Sequence, residues 1–170
     1  ISDIRKFVRL SIWYSGWNLV QRILISSDVV IIGFMISAVA VTDYTLTAYV
    51  AVTATTALTM VVGSATPGLG GLIGKGEFDK TLSAHQEMMV LSIILLGATG
   101  VTILLWNQSL ISLWVGEARY AGGEVNLLVV LMGVQLLFIR NDAYLIDATL
   151  DMKKKVKVGF FASLVMVIAA

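Results

Sequence analysis

Two arginines stand where ionised side chains are expensive. Arg22 lies within the apolar run Leu10–Met35, and Arg140 within the run 124–150. An ionised group at bilayer depth costs about 2.5–3.5 kcal/mol on insertion scales, so each arginine needs a compensating role. A guanidinium is a planar fork that donates two parallel hydrogen bonds and stays charged when desolvated. Those properties suit a phosphate in a cavity. Asn18 and Asn141 add neutral donors for a phosphate or a glycan. Asp28, Asp142 and Asp147 could balance the charge of an empty site or hold a coupling cation. The same residues also allow a structural reading, with ion pairs such as Arg22 with Asp142 or Arg140 with Asp147.

Other chemistry finds less support. The segment Ser64–Lys80, SATPGLGGLIGKGEFDK, invites a phosphate-loop reading. That motif would need glycine at 69 and serine or threonine at 76, where Leu69 and Gly76 stand. The dinucleotide spacing fails as well, so Pro67 and the glycines read as the end of one span and a turn. Gly70 and Gly74 form a small-xxx-small pair of the kind that packs helices closely. The one histidine, His85, stands beside Gln86 and Glu87 at the start of a span. It reads as an interfacial polar cluster, with a proton relay as the alternative. There are no cysteines, which removes disulfides, thiolate metal sites and cysteine catalysis. No catalytic set, metal site or cofactor site is expected, and the chain does not read as an enzyme.

The elements that would position these residues are membrane helices. Of the 170 residues 58% are hydrophobic and 14% charged, against roughly 45–50% and 25% in soluble domains. The fold expected is all-α: an integral membrane bundle of four complete spans and a truncated fifth, over 10–37, 44–67, 84–106, 124–150 and 158–170. Ile1–Arg9 reads as a lead-in at the interface. Thirteen residues at about 1.5 Å each cannot cross a core of about 30 Å, so the chain reads as a fragment cut within its last helix, forming a single lobe. In the first span Ser11, Ser15, Asn18, Arg22 and Ser26 recur at helical spacing and form one polar face. In the fourth, Arg140, Tyr144, Asp147 and Asp151 share a face, and Asn141 and Asp142 point elsewhere. The second span is rich in threonine. The third, nearly all Val, Leu, Ile and Gly after Glu87, reads as the most lipid-exposed. Asn107–Gly123 reads as a loop bracketed by Trp106 and Trp114, with Tyr120 nearby, as interfacial anchors.

The basic residues alternate from flank to flank. Arg5, Lys6 and Arg9 precede the first span, and no Lys or Arg lies between the first and second. Lys75 and Lys80 follow the second, Arg119 alone follows the third, and Lys153, Lys154, Lys155 and Lys157 follow the fourth. The positive-inside rule then places the N-terminus, the Gly-rich loop and the lysine cluster in the cytoplasm. Arg22 and Arg140 come to comparable depth, a little to either side of the midplane.

With these elements in place the sequence resembles the polysaccharide (O-antigen and related) flippases of the multidrug/oligosaccharidyl-lipid/polysaccharide superfamily. The resemblance rests on SSDVVIIGFM at Ser26–Met35, on Val41-Thr42-Asp43-Tyr44, and on Pro67-Gly68-Leu69 with Gly76-Glu77-Phe78-Asp79-Lys80. It rests also on SLISLWVG at Ser109–Gly116 and on Ile146-Asp147-Ala148 with Lys153. Together these cover most of the chain and are similar to the second, C-terminal lobe of such a protein. The resemblance implies a two-lobe transporter of a bacterial inner membrane. It would flip an undecaprenyl-pyrophosphate-linked oligosaccharide by alternating access, as in lipopolysaccharide O-antigen synthesis. The implied partners are that lipid-linked oligosaccharide, membrane lipids, the other lobe of the same chain, and a polysaccharide polymerase and glycosyltransferases, with no nucleic acid. The superfamily's cavity arginines are loosely matched by Arg22 and Arg140, while Arg140-Asn141-Asp142 matches no motif of the family. Two alternatives stay open: a cation-coupled multidrug exporter of the same superfamily, and a membrane scaffold that transports nothing.

Overall fold

The computed structural model describes residues 2–149 and Val156. The expected fifth span, Asp151 and the lysine cluster at 153–157 lie outside the described residues. The chain divides into two compact units, Ile1–Ser37 with Leu150–Ala170, and Ala38–Thr149.

The first unit contains α1 (Ser2–Met35), so the expected lead-in is part of one continuous helix of 34 residues. Ser11, Ser15, Asn18 and Arg22 are exposed on it; the side chain of Ser26 is outside the described set. Apolar residues around the same helix are exposed too, among them Ile12 (64%), Leu19 (63%) and Phe34 (93%). Gly16 packs near Val156.

The second unit contains α2 (Ala38–Gly63), α3 (Thr66–Gly74), α4 (Phe78–Trp114), a 3-10 turn at Glu117–Arg119, and α5 (Gly123–Ala148). Among the described residues there is no strand, so all-α holds. Among the described residues three runs are long and apolar enough to cross a membrane: Ala38–Gly74, which α2 and α3 share, Phe78–Trp114, and Gly123–Ala148. By length and composition this is a membrane protein.

Threonine and serine are tolerated in these helices because their hydroxyls turn back onto the helix. Thr42, Thr45, Thr47 and Thr56 of α2 each donate to the carbonyl four residues earlier, and Thr59 to the one three earlier. No polar hydrogen is then left facing hydrocarbon. The buried positions of α2 (Thr47, Ala48, Ala51, Thr55, Leu58, Val62) recur every three or four residues. So do those of α4, from Met88 through Ser92, Leu96, Gly100, Ile103 and Asn107 to Ile111. Such spacing puts each set on one stripe of its helix.

The helices meet in three apolar layers. Ala48, Ala51, Ile103, Val129 and Val130 form the first. Leu58, Leu96 and Leu137 form the second. Val62, Leu69 and Met88 form the third. Small residues bring α2 and α5 close: a Cβ at Gly133 would lie 2.7 Å from Thr55 Oγ1, and one at Gly63 would lie 2.8 Å from Tyr144 Cζ. Neither approach would survive a larger residue.

Three expectations need correction. The Gly-rich segment is mostly helix. The chain breaks at Ser64 and Ala65, Pro67 opens the first turn of α3, and the reversal comes at Lys75–Glu77 with Gly76 at φ +75°. Proline costs little in a first turn, where its missing N–H has no partner anyway. Next, α4 runs through to Trp114, so Trp106 stands inside a helix and the loop shrinks to residues 115–122, opened by Gly116 at φ +95° and closed by Gly122 at φ +104°. Finally, α4 is not the most exposed helix, since an equal 28% of each of the three spanning windows is buried.

Candidate functional site

Polar side chains of the second unit collect at two levels, one towards each end. The first level ties α2, α4 and α5 together. Asn107 of α4 is 2% exposed. Its Nδ2 donates to the Thr47 carbonyl at 2.8 Å and to Asn126 Oδ1 at 2.7 Å. Thr47 Oγ1 donates to the Asp43 carbonyl and accepts the Ala121 N–H at 2.9 Å. Arg119 reaches Asp43 at 3.3 Å above this level. Asn107 and Asn126 were not anticipated as partners, because Asn107 read as the first residue of a loop. Its phase with Ser92, Leu96 and Ile103 is the signal that places it on the buried stripe.

The second level lies nearer the α3 end. Asn141 is fully buried, and its Nδ2 donates to Ser92 Oγ at 2.8 Å and to the Leu137 carbonyl at 3.1 Å. Ser92 Oγ in turn donates to the Met88 carbonyl. Tyr144 spans to α2, its hydroxyl donating to the Thr59 carbonyl at 2.9 Å. His85 Nε2 lies 3.4 Å from Asp142 Oδ1, with side-chain exposures of 12% and 63%. The pair is close enough for an ion pair if His85 is protonated, but the imidazole nitrogen is not aligned for a hydrogen bond. Four buried polar atoms have no hydrogen-bond partner among the described residues: Thr66 Oγ1, His85 Nε2, Asn107 Oδ1 and Asn141 Oδ1. Such atoms are costly in an apolar interior.

The residues singled out for anion binding divide between the units. Arg22, Asn18 and Asp28 belong to the first and Arg140, Asn141, Asp142 and Asp147 to the second. Arg22 is exposed on α1; Asn18 spends a donor on the Tyr14 carbonyl at 3.0 Å, and Asp28 accepts the Val29 N–H. Arg140 is half-buried on α5. It stands eight residues before the helix end at Ala148, about 12 Å inside it by helical rise. Neither arginine has an ion-pair partner among the described residues. Asp142 lies 3.4 Å from His85, and Asp147 is not without a partner. Chemically, α5 thus carries a guanidinium with no ion-pair partner among the described residues, one residue from an amide locked into the bundle. No family model matches the chain, and no curated protein or solved structure matches it.

Proposed function

We propose that the chain is the membrane-embedded part of a transporter for a phosphate-bearing, lipid-linked oligosaccharide, with Arg140 in the second unit and Arg22 in the first each serving phosphate binding. The observation that carries this reading is the half-buried Arg140 on a spanning helix with no carboxylate partner among the described residues. A cation there has a use if a mobile anion supplies the missing charge. The guanidinium suits that anion because its forked donors match two phosphate oxygens. The embedding proposed is four complete spans and a fifth, in a bacterial inner membrane with the N-terminal flank cytoplasmic. α1 then crosses the bilayer as the first of these spans, and this lobe rocks against the other lobe of the transporter.

The test uses the full-length protein in cells that display the polysaccharide. Arg140→Ala and Arg22→Ala should each abolish surface polysaccharide without lowering the amount of protein in the membrane. Arg140→Lys should restore it partly, since a point charge replaces the fork. Normal polysaccharide in both alanine variants would overturn the phosphate site. Loss of drug resistance on Asp28→Asn, with polysaccharide unaffected, would favour an exporter instead.

A further inference from the structure

The helix α3 contains more glycine than its conformation requires. Its sequence is TPGLGGLIG, with glycine at 68, 70, 71 and 74. None of the four has a positive φ; among the glycines described, only Gly76, Gly116 and Gly122 do. None is forced by packing either. A Cβ at Gly68, Gly71 or Gly74 would meet nothing within 4 Å, and one at Gly70 would only touch the Ala148 carbonyl at 3.9 Å. Glycine within a helix costs about 1 kcal/mol relative to alanine, so this sequence makes α3 weaker than its docked shape needs. Its ends are weak as well. Ala65 caps the first turn without a side-chain hydrogen bond, and the last turn runs into the hinge at Gly76.

Leu69 is the one fully buried side chain of α3, with Leu72 and Ile73 half-buried beside it. Leu69 is 2% exposed and packs with Val62 and Met88, ringed by Ala65, Ala84, Tyr144 and Ala148. Three of the four unpartnered polar atoms belong to residues close in sequence to that cluster. Thr66 opens α3 itself, His85 follows Ala84 on α4, and Asn141 precedes Tyr144 by less than a turn on α5. These atoms gain hydrogen bonds only if water reaches them.

We propose that α3 is a strap that unwinds as it undocks from the adjoining ends of α4 and α5, between the Ser64–Ala65 break and Gly76, and so admits water to the polar interior around His85 and Asn141. The glycines keep the docked helix weak and Leu69 makes docking reversible. The use of this motion as a gate on the transport path rests on the transporter reading; the motion itself does not.

The chain has no cysteine, so a single thiol gives a clean probe. Met88→Cys in the otherwise unaltered protein, in lipid nanodiscs, is exposed to a membrane-impermeant maleimide. The buried position should label slowly but measurably. Adding Gly68→Ala with Gly71→Ala should slow labelling up to about 25-fold, roughly fivefold per site, while Lys75→Cys in the turn labels equally fast with or without the alanines. Leu69→Ala should accelerate labelling at Met88→Cys. Hydrogen exchange on the cysteine-free protein gives a second readout, with α3 amides exchanging faster than those of α2 and α4 and slowing in the double alanine variant. A strap whose exchange is as slow as its neighbours', or labelling indifferent to the alanines, overturns the proposal. Loss of surface polysaccharide in the double alanine variant tests the gate separately from the strap.

Discussion

A guanidinium in an apolar helix is informative mainly through what it fails to meet. Arg140 could have been neutralised by Asp147, about two turns further along the same face of α5. No ion pair joins Arg140 to a described residue, and Asp142 lies 3.4 Å from His85. Arg140, Asn141 and Asp142 were legible in the sequence because each interrupts an apolar run. Their partners were not. Ser92 is one serine among many, and only folding shows that Asn141 reaches it across 49 residues. Removing that hydrogen bond with Asn141→Leu should change stability little, within about 1.7 kcal/mol, the largest value typical of interhelical hydrogen bonds in membranes. Reversible unfolding in mixed micelles would measure it. A loss of several kcal/mol would mean that Asn141 carries more of the bundle than this bond.

At the scale of elements, the closeness of α2 and α5 decides most. Gly133 faces Thr55 and Gly63 faces Tyr144, and both glycines are there for want of space. Gly133→Ala should cost about 1–3 kcal/mol, the usual penalty for overpacking, and Thr55→Ala in the same protein should recover most of it. Thermal unfolding of the single and double variants checks this, and additive losses would show that the two side chains do not compete. The sequence marked α2, α4 and α5 by their apolar length. It misjudged where they ended, because the polar Asn107 looked like a terminus and the glycines of α3 like a turn. Asn107 is tolerated inside α4 since its donors are spent on Thr47 and Asn126. Glycine's low helix propensity was overridden by Leu69, which propensity does not see.

For the whole molecule, the alternation of basic residues is the feature that composition alone could not provide. Arg119 is the only lysine or arginine on its flank, and it reaches Asp43, which joins the 3-10 turn to the start of α2. Cysteines placed singly at Lys75 and at Ala118, probed in sealed vesicles, should label from opposite sides of the membrane. Labelling from one side would break the assigned orientation. Arg119→Ala should have a small effect on stability, about 0–1 kcal/mol, since the pair is partly exposed; a larger loss in a thermal melt would give the pair a structural weight its exposure does not suggest.

The amide pair Asn107–Asn126 also bears on how the protein is made. Its members lie 19 residues apart, on the two helices either side of a short turn. A newly synthesised α4 reaches the bilayer with the Thr47 carbonyl of α2 already made but with the side-chain partner of Asn107, Asn126, still to come. The first acceptor to emerge after it is on α5, so the two helices should leave the insertion machinery as a pair. Asn126→Leu would then delay release of α4 without shortening it. Arrested nascent chains, cut at successive lengths and crosslinked to the insertion channel, would show α4 held for longer. An unchanged departure of α4 would separate the order of assembly from the hydrogen bond.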